Sequence, residues 1–379
     1  MNAGAESSAT LPLFDRYPLL RDRVAWTPIG DWPTPILHAD AFARESGLRS
    51  FHIKREDLSH PQCGGNKTRG LEFLIARARE LRAECLVTFS SAGSHHIAKT
   101  AWHARRFGID CAAVFIDQPA SDYVRNNIAA ALESGATYLR ANRLTVVPKT
   151  ALAYWRERRR RIAGGWRGGD SGSGRPVCFI APGGTNRRSM LGHVNAALEL
   201  KAQIDAGAMP APDFIFVVLG SLGTAAGLAL GLKLAGLTSR VVGVTVSYPW
   251  YATRGRLARF ARRVHCWMRR MDPSVPDVDV RANDFDVLND ALGDGYAQFT
   301  RAGRTLAERI RTTEGLHLDG TYTAKALDGA MRFIERRRLN EATHLFWHTF
   351  FDFPRSELTK DEVPAVLRPY WESPGQAWP

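Results

Sequence analysis

The sequence predicts an α/β protein with two domains, each a mainly parallel sheet flanked by helices. Short apolar runs typical of buried strands alternate along the chain with segments of helical periodicity, which indicates βαβ units. A stretch rich in arginine and glycine, residues 151–176, interrupts this alternation and predicts a solvated connection. We therefore expect a smaller inserted domain over residues 71–176 and a larger domain over residues 1–70 plus 177–379.

The first half of the chain begins with small and polar residues, 1–10, which predict a loose tail. Threonine-proline pairs at 27–28 and 34–35 predict extended chain, because the residue before proline avoids the helical region. Apolar periodicity then predicts helices over 37–48, 71–82, 95–107 and 121–134, and strands over 50–54, 85–89, 111–116 and 137–139.

The same alternation resumes beyond the arginine- and glycine-rich stretch. It predicts strands over 177–181, 214–219, 241–246 and 344–348, and helices over 191–204, 225–234, 254–270, 296–314 and 322–338. The run 214–234 is nearly uncharged, but its glycines and hydroxyl residues fit a buried strand, a turn and a helix better than a membrane span. We therefore expect no membrane segment.

The chain is strongly basic, with a net charge of +13 and an isoelectric point of about 9.9. The excess is almost all arginine, since only 8 of the 51 basic residues are lysines. Such a balance is as easily a coding bias as an anion-binding surface, and no zinc-finger spacing or RNA-binding signature supports nucleic-acid binding. The five cysteines are scattered and form no Cys-x-x-Cys pair, which favours a reducing, cytoplasmic compartment and argues against a metal site.

One lysine lies where its amine is expected to be chemically active. Residues 64–70, GGNKTRG, form a glycine-rich turn that opens a predicted helix, and Lys67 lies near the helix start. The helix macrodipole disfavours a cation there, and a lysine that loses its proton forms imines with aldehydes. The two glycines would let the backbone approach a flat ligand. The alternative is an ordinary solvated lysine.

This turn and residues 54–57, KRED, resemble the cofactor-lysine segment of the D-cysteine desulfhydrase and 1-aminocyclopropane-1-carboxylate deaminase family. These are pyridoxal-phosphate enzymes with the tryptophan synthase β-like fold, which is fold type II. The resemblance implies that Lys67 carries pyridoxal 5'-phosphate as a Schiff base, with Asn66 beside the cofactor. It also implies that the larger domain binds the cofactor and that the protein is a homodimer.

Residues 220–224, GSLGT, follow a valine-rich strand and open an apolar helix. Backbone N–H groups and hydroxyls converge at such a helix end and form an anion site, although many such loops are plain turns. The loop resembles the phosphate loop of the same family. The resemblance assigns the cofactor phosphate to Gly220, Ser221, Gly223 and Thr224, and the lack of a Gly-x-Gly-x-x-Gly pattern disfavours a dinucleotide.

Ser94, His95 and His96 lie between a predicted strand and a predicted helix, where a serine is often only a helix cap. The corresponding family loop reads Ser-Asn-His. The resemblance implies that Ser94 assists proton transfer and that all three residues contact the substrate. His95 replaces the asparagine that hydrogen-bonds the phenolic oxygen of the cofactor; imidazole could still donate there, but it is bulkier and titrates near neutral pH.

Residues 319–326, DGTYTAKA, resemble the family segment Asp-Pro-Val-Tyr-Thr-Gly-Lys-Ala. Tyr322 then matches a tyrosine near the reacting carbon and Tyr296 matches a second, although both could be half-buried packing residues. Thr323 stands where the cyclopropane deaminases have glutamate and the desulfhydrases have threonine, at the pyridine nitrogen. A neutral partner there leaves the ring a weaker electron sink, which favours elimination of a β-leaving group over ring opening.

Two further loops resemble cofactor-side loops of the family. Residues 182–186, PGGTN, match one, and residues 345–349, LFWHT, match another that places Thr349 near the pyridine nitrogen. The family continues with two glycines after this threonine. Phe350 and Phe351 replace them here and are expected to narrow the cavity wall.

These patterns predict a pyridoxal-phosphate-dependent lyase or deaminase that acts on a small amino acid resembling D-cysteine. The products would be a 2-oxo acid, ammonia and a leaving group such as sulfide. Because His95 and Phe350–Phe351 depart from the family pattern, β-replacement or racemisation is an alternative reaction. A different class, a non-catalytic binder with a basic surface, would show no turnover and salt-sensitive binding to polyanions.

Overall fold

Two β-sheets with helices on their faces organise the chain. The computed structural model describes residues 10–163 and 177–378. Most of the predicted N-terminal tail, residues 1–9, and the glycine-rich part of the predicted connection, residues 164–176, lie outside the described residues. Within residues 10–163 and 177–378, no helix is both long and apolar enough to cross a bilayer.

Ten strands contribute to the two sheets in the described part of the chain. They are β1 (Ile36–His38), β2 (Ser50–Arg55), β3 (Cys85–Ser91), β4 (Asp110–Ile116), β5 (Thr137–Arg140), β6 (Val177–Phe179), β7 (Phe214–Leu219), β8 (Arg240–Thr245), β9 (Phe285–Leu288) and β10 (Thr343–His348). The larger sheet has the strand order β1-β2-β10-β7-β8-β9, and only its β1–β2 pair is antiparallel. The smaller sheet has the order β5-β4-β3-β6 and is parallel throughout.

Thirteen α-helices lie between these strands or at the chain ends of the described residues. They are α1 (Pro12–Arg16), α2 (Pro18–Arg23), α3 (Asp40–Glu45), α4 (Lys67–Glu80), α5 (His95–Arg106), α6 (Asp122–Glu133), α7 (Val147–Ala163), α8 (Met190–Asp205), α9 (Gly223–Leu234), α10 (Arg254–Met271), α11 (Arg301–Glu314), α12 (Thr323–Arg337) and α13 (Pro369–Glu372).

The helices cover both faces of each sheet, which explains why the strands are almost uniformly apolar. Helices α8, α9 and α10 pack on one face of the larger sheet, and α3, α11 and α12 pack on the other. Helices α5 and α6 cover one face of the smaller sheet, and α7 covers the opposite face. The predicted α/β class with mainly parallel, helix-flanked sheets is therefore confirmed.

Several predicted boundaries are wrong, each for a tertiary reason. The predicted helix over 37–48 is the strand β1 followed by α3, because Ile36–His38 pair with β2. Helix α4 begins at Lys67, four residues earlier than the periodicity indicated. The helix predicted over 296–314 begins at Arg301, because the side chain of Thr300 accepts a hydrogen bond from the N–H of Gly303 and caps it.

The division between the two predicted domains also needs a correction. Strand β6, which the prediction assigned to the larger domain, pairs with β3 of the smaller sheet. The C-terminal segment crosses to the same side, where Phe353, Leu367 and Tyr370 pack with α5 and α6. Sequence reasoning missed this because the segment carries no regular periodicity, and α5 and α6, on which it packs, are distant in the chain.

A buried charge network joins the start of α4 to both β2 and α8. The guanidinium of Arg69 donates to Glu56 at 2.7 Å through Nε and Nη2, and to Glu199 at 2.9 Å through Nη1 and Nη2. The amine of Lys54 donates to Glu199 at 2.6 Å. Two cations and two carboxylates therefore balance in a region that is almost closed to water.

Burial and ion pairing shift the pKa values of Glu199 and Lys54 in opposite directions. Although burial alone would raise the pKa of Glu199, attraction by Arg69 and Lys54 lowers it to about 2. Burial lowers the pKa of Lys54 despite the attraction of Glu199. The ring of Trp32 stacks on the guanidinium of Arg69, with 3.9 Å between the guanidinium carbon and the ring centroid.

Replacing Arg69 with methionine is expected to lower the free energy of unfolding by about 3–5 kcal/mol, because two buried carboxylates would lose their partner. Urea denaturation followed by circular dichroism measures the change. Arg77→Met is the matched control, since Arg77 lies on the same helix and pairs with Glu80 at the surface. Its effect should stay within about 1 kcal/mol. Equal losses for the two variants would contradict a special role of Arg69.

The low pKa of Glu199 predicts a specific acid sensitivity. A carboxyl group whose folded-state pKa is depressed contributes stability that is present above its unfolded pKa and is lost as the pH falls through the folded pKa. Stability from Glu199 should therefore decline between about pH 4.5 and pH 2. Urea midpoints measured from pH 6 downward should fall more steeply for the wild type than for Glu199→Gln. Parallel curves would refute the prediction.

Candidate active site

A cavity of about 390 Å³ lies where the carboxyl ends of strands from both sheets meet. Phe89 of β3, Ile116 of β4 and Val218 of β7 contribute to its wall. This edge of parallel sheets is where α/β proteins usually bind ligands. Most of the predicted site residues line it: Asn66, Lys67, Ser94, His95, His96, Gly220, Ser221, Thr224, Tyr296, Tyr322 and Thr349.

Lys67 is the first residue of α4 and faces this cavity. Burial lowers the pKa of Lys67 to about 8, and it is the main cause of the shift. Sequence reasoning attributed the effect to the helix macrodipole, so the direction was right and the main cause is different. About a tenth of Lys67 is therefore the neutral, nucleophilic amine at pH 7, which is far more than for an exposed lysine.

Gly64 and Gly65, which were predicted to let the backbone approach a flat ligand, are not among the described residues that line the cavity. Gly65 has a φ of +102°, and a Cβ there would lie 2.0 Å from the amine of Lys99 and 2.9 Å from the carbonyl oxygen of Thr349. Lys99 is a buried residue of α5, and its amine has no hydrogen-bond partner among the described residues. No sequence motif singled out Lys99, because its position follows only from the packing of α5 behind this turn.

Asn66 connects the start of α4 to the start of α9. Its side-chain N–H donates to the hydroxyl oxygen of Thr224 at 2.9 Å. The same hydroxyl lies 3.3 Å from Nε2 of His193 on α8. Burial lowers the pKa of His193 well below its usual value, so this imidazole is neutral. Asn66 therefore positions the predicted phosphate loop rather than standing free in the cavity.

The predicted phosphate loop has the geometry of an anion site. Leu222 has a φ of +69°, which turns the chain sharply into α9. The first N–H groups of a helix have no partner within the helix. Leu222 precedes α9 and its side chain accepts no hydrogen bond from these N–H groups, so they are available to an anion. Thr185 donates to the hydroxyl oxygen of Ser221 at 2.8 Å, which leaves the Ser221 proton available to a ligand. Gly223 lines a small recess that adjoins the cavity beside Lys67 and Thr224.

Ser94 caps α5, and its hydroxyl accepts a hydrogen bond from the N–H of His96 at 3.2 Å. The ring of His96 lies 2.6 Å from the hydroxyl of Thr88 through Nε2. Burial lowers the pKa of His96 to about 3, with a further contribution from Lys67. Ser94 is therefore a helix cap that also faces the cavity, and its role in proton transfer and substrate contact stays a prediction.

His95 is held by two partners that fix its tautomer. Its Nε2 lies 2.8 Å from the carbonyl oxygen of Phe351, so this nitrogen carries the proton and donates. Its Nδ1 then accepts from the hydroxyl of Tyr123 at 3.1 Å. Burial lowers the pKa of His95 well below its usual value. The expected donation from the His95 ring to the cofactor is therefore not supported, because both ring nitrogens are engaged.

The two predicted tyrosines come together from separate loops. The hydroxyls of Tyr296 and Tyr322 are 2.5 Å apart, and the hydroxyl of Ser91 lies 2.6 Å from that of Tyr296. Ser94 also lies within hydrogen-bonding reach of Tyr322. Burial raises the pKa of both phenols, so they remain protonated. Ser91 is a polar site residue that sequence reasoning did not select, although it lies in the same serine-rich loop as Ser94.

Thr323 has a different role from the one that the resemblance implied. Its hydroxyl donates to Asp319 at 2.7 Å and accepts from the N–H of Asp319 at 2.9 Å. The side chain is buried at the start of α12 and is not among the described residues that line the cavity. Asp319 also accepts from the N–H of Tyr322 at 2.7 Å. Thr323 and Asp319 therefore shape the turn that presents Tyr322.

Phe350 and Phe351 do not narrow the cavity as expected. Neither is among the described residues that line it, whereas Thr349 is. The ring of Phe350 packs against His95 with 5.3 Å between centroids. Phe351 contacts the cluster of side chains under the smaller sheet. Phe350 and Phe351 therefore affect the site indirectly, because both contact His95 and fix its position.

Sequence reasoning missed an aromatic segment at the cavity mouth. Tyr248, Trp250 and Tyr251 follow β8 and line the cavity. A signal was available, since they come directly after a strand of the parallel sheet, at the edge where ligands bind. The loop carries no recognisable motif, and its resemblance to the family is weak.

Comparison with known proteins identifies the class of this arrangement. Residues 28–349 match the family model described as pyridoxal-phosphate dependent enzyme. The chain belongs to this family. The family's cofactor is pyridoxal phosphate, and the residues present fit its chemistry, because a neutral amine and an anion-binding helix start open into one cavity.

Solved structures of pyridoxal-phosphate dependent enzymes share the fold. The chain is 25% identical to an ACC deaminase homologue with a TM-score of 0.72, covering 90% of this chain and 95% of that one. The processed form of threonine deaminase isoform 2 from Solanum lycopersicum is 15% identical with a TM-score of 0.55, covering 92% and 91%. A threonine deaminase from T.th. is 18% identical with a TM-score of 0.55, covering 89% and 95%. The predicted tryptophan synthase β-like fold of type II is therefore confirmed.

Gly183→Ala is expected to weaken pyridoxal phosphate binding about tenfold. A Cβ at Gly183, where φ is +63°, would lie 2.5 Å from the Cβ of Ser221 and would displace the loop before α9. Equilibrium dialysis measures the affinity. Gly236→Ala is the matched control, because φ is +73° there and no atom lies within 4 Å of the added Cβ. If both variants bind the cofactor like the wild type, Ser221 does not contact it.

Proposed function

We propose that the protein is a pyridoxal-phosphate-dependent lyase that deaminates an amino acid carrying a leaving group on its β-carbon. The observation that carries the proposal is the meeting of Lys67 with the hydroxyls of Ser94, Tyr296 and Tyr322 in one cavity. The likeness to the ACC deaminase homologue supports a deaminase. D-cysteine is the proposed reference substrate, on the resemblance of the motifs to the desulfhydrases.

The cofactor would be held by the residues with matching chemistry. Lys67 offers the amine that reacts with its aldehyde carbon, and residues 220–224 offer N–H groups and hydroxyls to its phosphate. Asn66 holds this loop in position next to Lys67 through its hydrogen bond to Thr224. When bound, the cofactor supplies an electron sink for the pair left on Cα after deprotonation.

The chain's own side chains would manage the protons. The amine of Lys67, with a pKa of about 8, can accept the proton from Cα near neutral pH. Tyr322 remains protonated and can donate to the departing group, and Tyr296 and Ser91 can restore its proton through the two short hydrogen bonds. The carboxylate of the substrate would accept from Ser94 and the N–H groups that begin α5.

The overall reaction balances with one water molecule. The Cα–H and Cβ–S bonds of cysteine break, the sulfur leaves with a proton, and water replaces nitrogen at Cα. The products are a 2-oxo acid, ammonium and sulfide. Retention of the nitrogen with a new substituent on Cβ would indicate β-replacement, and loss of optical purity alone would indicate racemisation.

Assembly as a homodimer is also proposed, on the resemblance of the motifs to the family. Light scattering after size exclusion measures it, with twice the chain mass of 42.0 kDa as the expected result. A mass of 42.0 kDa across the working concentration range would refute it.

Lys67→Ala is expected to abolish both turnover and covalent attachment of the cofactor. The wild type should show a visible absorption band with pyridoxal phosphate, and borohydride reduction followed by peptide mass spectrometry should locate the adduct on Lys67. Addition of D- or L-cysteine should change the band and release pyruvate, ammonia and sulfide. Lys201→Ala is the control, because that lysine pairs with Asp205 at the surface.

The outcomes separate the parts of the proposal. Full turnover by Lys67→Ala, or an adduct on Lys99 or Lys325, would refute the role of Lys67. A normal adduct with no 2-oxo acid from any β-substituted amino acid would refute the lyase reaction and leave the cofactor assignment standing. Salt-sensitive binding to polyanions without any turnover would favour the binding alternative.

A further inference from the structure

Both polar and apolar side chains line the cavity. The polar ones are Lys67 and the hydroxyl-bearing residues described above. The apolar ones belong to two groups: Phe89, Ile116 and Val218 at the strand ends, and the aromatic segment Tyr248, Trp250 and Tyr251 after β8. The proposed reaction uses only the polar side chains. The reaction itself therefore does not explain the aromatic segment.

The aromatic segment is exposed to an unusual degree. Trp250 is 67% exposed and Tyr248 is 40% exposed, although both line the cavity. The ring centroids of Trp250 and Tyr248 are 6.0 Å apart, and those of Trp250 and Tyr251 are 5.9 Å apart. Large apolar side chains that remain exposed at a concave surface are typical of a binding site.

Arg256 supports these rings from the first turn of α10. Its guanidinium carbon lies 4.4 Å from the ring centroid of Tyr251 and 5.9 Å from that of Trp250. A nitrogen of the same group donates to the carbonyl oxygen of Tyr251 at 3.3 Å. These contacts hold the segment in place, so the aromatic surface is present before a ligand arrives.

The charge of the cavity limits what this surface can bind. Among the described residues that line it, Lys67 is the one formal charge, and none is an arginine, aspartate or glutamate. The imidazoles of His95 and His96 are buried and have strongly lowered pKa values, so both are neutral. With Lys67 engaged by the cofactor, a charged substrate side chain would find no opposite charge among these lining residues.

We propose that Tyr248, Trp250 and Tyr251 form a subsite that selects amino acids with a large, uncharged, apolar substituent on the β-carbon. The inference rests on the proposed function and names the substrate class of that same site. The aromatic faces of the segment would contact the substituent. D-cysteine, with only a thiol at this position, would leave the subsite empty.

The experiment compares S-benzylcysteine with S-methylcysteine, each as D and L isomers. Both release a thiol by the same cleavage of the Cβ–S bond, with pyruvate and ammonium as the other products. The benzyl thiolate is also a somewhat better leaving group, and comparison with the variants below separates that difference from the effect of the subsite. The wild-type holoenzyme should favour the benzyl substrate in kcat/KM by about tenfold or more. The preference should appear mainly in KM, because the reacting atoms are identical.

Trp250→Ala should remove most of this preference, because it should lower kcat/KM for S-benzylcysteine about tenfold more than kcat/KM for S-methylcysteine. Trp250→Phe should restore it in large part, since an aromatic face remains. Phe179→Ala is the matched control, because Phe179 is 53% exposed on β6 and is not among the described residues that line the cavity. This variant should retain the wild-type ratio.

A second measurement does not depend on turnover. Phenylalanine and alanine are titrated against the holoenzyme, and the change in its visible spectrum gives each Kd. Phenylalanine should bind at least about tenfold more tightly than alanine, and Trp250→Ala should bring the two values together. This readout still decides the subsite if neither thioether is cleaved, an outcome that would count against the proposed lyase reaction alone.

Three results would overturn the subsite. In the first, the wild type would show equal kcat/KM for S-methylcysteine and S-benzylcysteine, and equal Kd for alanine and phenylalanine. Trp250→Ala would keep the wild-type selectivity. Alternatively, Trp250→Ala would change the mass measured by light scattering and leave selectivity unchanged, which would identify the aromatic segment as a contact between copies of the chain.

Discussion

The position of Lys67 depends on the buried guanidinium of Arg69, two residues further along the same helix. Arg69 binds Glu56, which follows β2, and Glu199 on α8, so the first turn of α4 is fastened to the larger sheet and to a helix that covers it. Removing four charged groups from water is costly, and such a network adds little net stability compared with apolar packing. Its effect is geometric, because a rotation or shift of α4 would break several charge-assisted hydrogen bonds at once. The same constraint that fixes Arg69 therefore fixes the direction in which Lys67 points.

Short polar contacts carry this constraint from α4 to the remainder of the site. Asn66 joins α4 to the loop before α9, and Asp319 holds the turn that presents Tyr322. The contact between Ser91 and Tyr296 crosses from the smaller sheet to a loop of the larger unit. The hydroxyl chain is thus complete only when both sheets are in their observed relation. A small displacement of one sheet would interrupt the proposed proton transfer without altering either sheet internally.

The sequence predicted the features that depend on local pattern or on recognisable motifs. Strand β7 matches its predicted bounds and most helices begin and end within a few residues of theirs, because burial on both faces leaves an uninterrupted apolar signal. Most of the predicted site residues also line the cavity, since they occupy motifs in the loops after strands. The failures concern contacts between distant segments. His95 turns to Phe351 and β6 joins the smaller sheet, and neither choice is encoded in the neighbouring residues. Thr323 is an exception, because it turns to Asp319 only four residues earlier in the same motif. Side-chain direction within a motif is decided by the tertiary partners that the motif meets.

The scarcity of charge in the cavity bears both on the reactivity of Lys67 and on the proposed preference for apolar substrates. The burial that lowers the pKa of Lys67 is the same burial that keeps His95 and His96 neutral. Anionic groups that enter, a phosphate and a carboxylate, would find helix starts and hydroxyls, which accommodate negative charge without a fixed cation beside the reacting carbon. Further charges on the substrate would find no such partner among the described residues that line the cavity. A weakly charged wall therefore makes the amine of Lys67 reactive and, by the same physical cause, favours substrates whose side chains are apolar.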